Sequence, residues 1–165
     1  MEKNSVEAIV RALNQHQVRY LIVGGLAVVA HGYMRFTADI DLVLAVDRDN
    51  LTRAVEAIKS LDYLPRVPVA FEEFIEPANR RRWASEKNML VFPLYSTKHQ
   101  TTVIDLFLEP PVDFNAAYSR AVPLDVASGI VATFCSLEDL ITMKTVAGRP
   151  KDLEDIAQLR RRKKP

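Results

Sequence analysis

Val6, Ile9, Val10 and Leu13 recur at the i, i+3, i+4, i+7 spacing and predict an amphipathic helix from Ser5 to Gln15, with Asn4 or Ser5 as its N-cap. The next pattern is a short apolar run, Tyr20 to Val23, stopped by Gly24-Gly25, which reads as a buried strand ending in a tight turn. Alanine-rich Leu26 to His31 reads as a helix with Gly32 as its stop. A second strand is expected over Asp39–Val46, and a helix over Asn50–Leu61, where Leu51, Val55, Ile58 and Leu61 share a side. Residues 62–87 are broken by Pro65, Pro68 and Pro77, with a short helix expected at Phe71–Ile75. Met89–Tyr95 and Thr101–Leu108 read as strands, Phe114–Arg120 as a short helix, and Val122–Val126 with Ile130–Phe134 as a hairpin around Ser128-Gly129. Ser136 opens a helix to Ala147 with a Ser-x-x-Asp cap, and Pro150 opens a last one to Arg161.

Helices alternating with strands early, and a hairpin late, imply an α/β (α+β) fold: a mixed sheet with packed helices rather than a doubly wound parallel sheet. The 165 residues suit a single domain over 1–165, with C-terminal helices at about 136–161 and a basic tail from Arg160 to Lys164. Composition changes this picture little. A 48% hydrophobic and 26% charged chain is ordinary for a globular protein, which excludes wholesale disorder and a coiled coil. The net charge of +1 excludes a generally basic nucleic-acid coat. One cysteine and three histidines exclude zinc sites built on several cysteines. With no signal-like apolar stretch at the start and no apolar run near the ~18 residues of a membrane span, a cytoplasmic protein without a membrane partner is expected.

The chemistry concentrates in Gly24-Gly25 and Asp39-Ile40-Asp41. On a strand, Asp39 and Asp41 project to one side and Ile40 to the other. Two carboxylates so placed repel each other, and a divalent cation with oxygen ligands relieves this; solvated aspartates at a strand end are the plainer reading. The glycines bear on the choice, because a strand entering Gly-Gly and then a helix lets backbone N–H groups approach a phosphate. Asp105 stands alone in an apolar strand, where a charge is costly unless paired or metal-bound. Three such aspartates on neighbouring strands match the two-ion clamp of phosphoryl and nucleotidyl displacement.

The segment GGLAVVAHGYMRFTADIDLVL resembles the signature of the DNA polymerase β-type nucleotidyltransferase superfamily. It is most similar to the small minimal nucleotidyltransferases and the AbiEii/AbiGii toxin-like group. The ending DLITMKTVAGRPKDLEDIAQL resembles the C-terminal helices of that group, so the likeness spans most of residues 18–160. The resemblance implies a polymerase-β-like fold and a Mg²⁺- or Mn²⁺-dependent nucleotidyltransferase. Asp39, Asp41 and Asp105 would be the metal-binding and catalytic residues. Gly24, Gly25, Arg35 and Thr37 would belong to the nucleotide-binding side, and the acceptor of an NTP-derived nucleotide would be a protein, an RNA or a small molecule. It also implies a toxin–antitoxin or phage-defence setting. One departure stands out: many active members carry Gly-Ser where this chain has Gly24-Gly25. The alternative is an inactive nucleotidyltransferase-fold binding module, an antitoxin-like or RNA-binding partner.

Other residues carry two readings each. Lys144 falls on the apolar stripe of Leu137, Leu140 and Ile141, where it reaches a triphosphate, pairs with a carboxylate such as Asp155, or snorkels to water. Arg35 holds a phosphate or a surface carboxylate. His31 is a helix cap or a base. Arg80-Arg81-Arg82-Trp83 is a solvated face or a patch on which nucleic acid stacks.

Overall fold

The computed structural model describes residues 2–162. Helix α1 (Lys3–Gln15) leads into β1 (Tyr20–Val23), α2 (Gly24–Ala30), β2 (Asp39–Leu44), α3 (Arg48–Lys59) and β3 (Tyr63–Pro65). After a 3₁₀ turn at Phe71–Ile75 come α4 (Pro77–Lys87), β4 (Val91–Ser96), β5 (Val103–Phe107), α5 (Phe114–Ser119), β6 (Val122–Ala127), β7 (Ile130–Phe134), α6 (Leu137–Ala147) and α7 (Pro150–Arg162). The strands form one sheet in the order β3-β4-β5-β2-β1-β7-β6. The β1/β7 and β2/β5 pairs are parallel and the other four antiparallel, the mixed sheet that the alternation implied.

One face of this sheet is sealed. Ile40, Leu42, Ile104, Leu106, Phe92 and Leu94 point into it and are fully buried. Phe71, Phe74 and Trp83 stack or tilt onto Phe92 with ring centroids 5.1–5.9 Å apart, closing that side with aromatic area. The opposite face is covered at β1 and β2 by α2, against which α6 packs, and the charged residues of β2 and β5 open onto it.

Several local expectations need correction. Helix α1 begins at Lys3 with Glu2 as N-cap, so neither Asn4 nor Ser5 caps it; Ser5 is buried and its hydroxyl meets His99 Nδ1 at 2.9 Å. Helix α3 begins two residues before Asn50 because the Asp47 side chain accepts from the Asn50 N–H. Strand β3 and helix α4 were not legible. Of α4 only Arg80 and Trp83 are buried, so it carries no apolar stripe for periodicity to find. The same two residues overturn the nucleic-acid reading of Arg80–Trp83. Trp83 is core, and the Arg80 guanidinium donates to the carbonyls of Phe74, Ile75 and Leu108, satisfying backbone that no strand or helix pairs. Arg160 and Arg161 belong to α7, whereas Lys163 and Lys164 of the expected tail lie outside the described residues. No helix among the described residues is long and apolar enough to cross a membrane.

Candidate functional site

Strand register sets the centre of the site. On the parallel β2/β5 pair Asp41 lies directly opposite Asp105, and Asp39 opposite Val103. Residues opposite each other across a sheet share a face, so Asp39, Asp41 and Asp105 all project to the open side, on strands spaced about 4.8 Å apart. Among the described residues none of the three has a basic partner within ion-pair distance. Burial pushes the Asp105 carboxyl up to about 6, with Asp41 and Asp39 adding to the rise and Arg66 opposing it. Asp41 is also raised, by burial first; the Gly25 N–H opposes, Asp39 adds, and Lys144 and Arg149 oppose.

The Gly-Gly turn is fitted to this centre. Gly24 has φ +61°, which an L side chain rarely adopts, and a Cβ there would overlap the Asp41 carboxylate. The Gly25 N–H at the start of α2 points to Asp41 Oδ2 at 3.4 Å. A Cβ on Gly25 would run into the Thr37 hydroxyl and lie 3.1 Å from Arg35 Nη2. This accounts for the departure from Gly-Ser: the space that a serine side chain would fill already holds Thr37 and Arg35, so the local hydroxyl comes from position 37.

Behind the turn lies a second charged cluster, made by α6, α7 and the loop before β2. Lys144 Nζ sits 2.9 Å from Asp152 Oδ1 and 2.7 Å from Asp155 Oδ2, with all three side chains no more than 6% exposed. Arg35 closes on Asp155, Nη2 donating to Oδ2 at 3.0 Å and Nε lying 2.8 Å from Oδ1 with its N–H aimed off that oxygen. Arg149 donates to Asp152 at 2.6 Å while three-quarters of its side chain stays exposed. Burial pushes the Asp152 carboxyl up, but the hydrogen bonds from Arg149 and Lys144 outweigh it and leave its pKa below the usual carboxylate value. Met34 and Phe36, both more than three-quarters exposed, flank Arg35 on its loop.

Gly24, Gly25, Arg35, Thr37 and Lys144 gather around Asp41, though not all in the expected way, whereas Arg80 and Trp83 pack on the sealed side of the sheet. Lys144 has the carboxylate partner expected of it, Asp155, and a second one, Asp152. The snorkelling reading falls, because its ammonium is buried. His31 caps α2, and its Nε2 meets the Cys135 carbonyl at 2.9 Å, so it is held as structure and not free as a base. Sequence reasoning missed Arg149 and Asp152. The proline after Arg149 drew the eye as a break, yet Lys144, Arg149, Asp152 and Asp155 recur at three- to five-residue steps, which hold charges together across two short helices.

The donor set suits a hard divalent cation: carboxylate oxygens only, on adjacent strands, with Asp41 and Asp105 raised in pKa by burial first and by the neighbouring carboxylates after it. Among the described residues no group of three or more His, Cys, Asp or Glu side chains is placed so that it could hold a metal ion as it stands.

Residues 4–161 match a protein family described as nucleotidyltransferase of unknown function (DUF6036). No curated protein matches the chain. Among solved structures the fold is similar to that of an antigenic nucleotidyltransferase-like protein from Paracoccidioides brasiliensis, at 18% identity and a TM-score of 0.59, covering 95% of this chain and 74% of that one. It is also similar to ANT(2")-Ia, solved in complex with adenylyl-2"-tobramycin, at 14% identity and a TM-score of 0.60, covering 95% and 86%. At such identities the likeness speaks for the fold, while the match over 4–161 speaks for the family: the chain belongs to the nucleotidyltransferases.

Proposed function

We propose that the protein is a metal-dependent nucleotidyltransferase that moves a nucleotide from an NTP to a hydroxyl-bearing acceptor. The observation that carries this reading is the register of Asp41 on Asp105 with Asp39 on the same face, three carboxylates that among the described residues have no basic group within ion-pair distance. Asp39, Asp41 and Asp105 would hold Mg²⁺ or Mn²⁺, which when bound neutralises phosphate charge and acidifies the acceptor hydroxyl.

The chain's own residues then have distinct tasks. The Gly24-Gly25 turn brings its backbone close against the Asp41 carboxylate, and the Thr37 hydroxyl and Arg35 stand against it as the groups that would meet a phosphate. Lys144 and Arg149 set a positive potential beside Asp41. Arg149, paired with Asp152 but mostly exposed, can turn to a phosphate more readily than Lys144, which is buried between two carboxylates. In the transfer, the acceptor oxygen bonds to the α-phosphorus, the bond to the β-phosphate oxygen breaks, pyrophosphate leaves, and the acceptor proton passes to Asp105. A toxin–antitoxin or phage-defence setting, with a protein or RNA as acceptor, has the resemblance of residues 18–160 as its support. A binding module without turnover draws on the open ligand set. Calorimetric titration of each NTP with and without Mg²⁺ separates the two: metal-dependent binding supports transfer, and no NTP binding at all supports the module.

A further inference from the structure

The open face of the sheet is sorted by charge. Around Asp41, towards β1, stand Arg35, Lys144 and Arg149. On the other side of Asp105, towards the β3 edge, the surface is apolar. Pro93 lies opposite Asp105 and Val91 opposite Phe107 on the β4/β5 pair, and Leu64 lies opposite Tyr95 on β3/β4. By alternation along the strands, Leu64, Val91, Pro93, Tyr95 and Phe107 all share the Asp105 face. Leu64 is 52% exposed and Tyr95 38%, while Val91, Pro93 and Phe107 are half-buried.

An antiparallel sheet with one face in the core and one in water alternates apolar and polar residues. The run Val91 to Tyr95 does not: Phe92 and Leu94 fill the sealed face, and Val91, Pro93 and Tyr95 the open one. This is the composition of a strand covered on both sides, yet one side is only partly covered and opens at Leu64 and Tyr95, and it adjoins a carboxylate that a reaction would use. Among the strand residues that share this face on β3, β4 and β5, Asp105 is the charged one. Arg66 supplies the basic influence at Asp105, and Lys98, past the end of β4, is paired with Asp62 at 2.5 Å.

We infer that this β3–β4–β5 face is the acceptor platform, and that the acceptor is a low-charge alcohol or phenol with an apolar or aromatic body, not a polyanion. The inference rests on the transfer reading for what Asp105 does, and on the sheet face alone for what binds there. The polyphosphate of the donor is drawn to the cationic side. The acceptor lays its apolar body on Leu64, Pro93 and Tyr95 and brings its hydroxyl to Asp105. A nucleic-acid acceptor would need a line of phosphate contacts here, and the face has Arg66 to offer.

The test is a protein-observed NMR titration of the metal-free chain with 2-naphthol, a neutral hydroxyl-bearing aromatic, and separately with a ten-residue oligoadenylate. Expected are saturable shifts at the Leu64 and Val91 methyls and the Tyr95 ring with 2-naphthol. The double variant Leu64→Ser, Tyr95→Ser should bind it at least tenfold more weakly with an unchanged melting temperature, since both side chains are exposed. Shifts at other surfaces, no saturable shift, or undiminished binding by the double variant would overturn the inference. So would salt-sensitive binding of the oligoadenylate across these residues. Because neither ligand carries a triphosphate, loss of the NTP result leaves this one readable, and the reverse.

Discussion

Two charged clusters meet at Gly24-Gly25, and they are built on opposite terms. Arg35, Asp155, Lys144, Asp152 and Arg149 alternate in sign, and each buried carboxylate touches two cations. Asp39, Asp41 and Asp105 have one sign and, among the described residues, no basic partner within ion-pair distance. The first cluster is paired in charge as folded and ties α6 and α7 to the loop that leads into β2. The second is a set of like charges that Lys144, Arg149 and Arg66 offset only from beyond ion-pair distance, which is how a site for a cationic ligand differs from a structural clasp.

The largest effect should come from opening the compensated cluster. Asp152→Ala leaves Lys144 buried with one carboxylate and should destabilise the chain by about 3–5 kcal/mol, measured by urea or thermal unfolding. Lys144→Met should cost a similar amount, since two buried carboxylates lose their shared cation. For a lysine reserved for phosphate the cost would be small, so a loss of stability under about 1 kcal/mol would move Lys144 from the clasp to the phosphate site.

The uncompensated cluster should respond with the opposite sign. Asp105, with a folded pKa of about 6 against an ordinary 3.8, holds its proton more tightly folded than unfolded. The folded state therefore binds more protons between these values, and stability falls as pH rises from about 4 to 6. Asp152, lowered in the fold, contributes stability at pH above its ordinary value, lost as pH falls through its lowered one. Asp105→Asn should thus stabilise the metal-free chain at pH 7 by about 1–2 kcal/mol, allowing for partial exposure, and flatten the pH 4–6 slope in thermal melts. Destabilisation instead would show Asp105 to be a structural carboxylate.

The turn between the clusters should give the smallest effect. Gly25→Ser installs the residue many superfamily members carry, but its Cβ meets Thr37. A loss of about 1–2 kcal/mol is expected, partly restored by Thr37→Ala in the same chain. Additive losses would mean that Thr37 does not fill the serine's place.

The two clusters also differ in how far the sequence displayed them. Asp39 and Asp41 were visible because strand parity is a local rule, and Asp105 because a lone charge in VIDLFL breaks an apolar run. That Asp41 faces Asp105 depends on pairing between strands some 60 residues apart, which no local pattern encodes. The clasp was half-visible: Lys144 on an apolar stripe demanded a partner, and Asp155 was a candidate, but Asp152 and Arg149 gain meaning only when α7 folds back on α6. Helix α4 was missed for a related reason, since its anchor is an arginine bonded to carbonyls rather than an apolar face. The exposed Tyr95 showed only the end of an expected strand and Leu64 a place in a proline-broken stretch, because a sequence does not say which face of a strand stays open.

The central claim is that the three aspartates form a site for a metal-bound nucleotide. Its most direct test is isothermal titration of an NTP in saturating Mg²⁺ into the chain and into the Asp39→Asn, Asp41→Asn variant, beside the same titration in EDTA. The account predicts binding that requires Mg²⁺, is lost in the variant, and is lost without any fall in melting temperature. Binding that persists in EDTA or in the variant would contradict it.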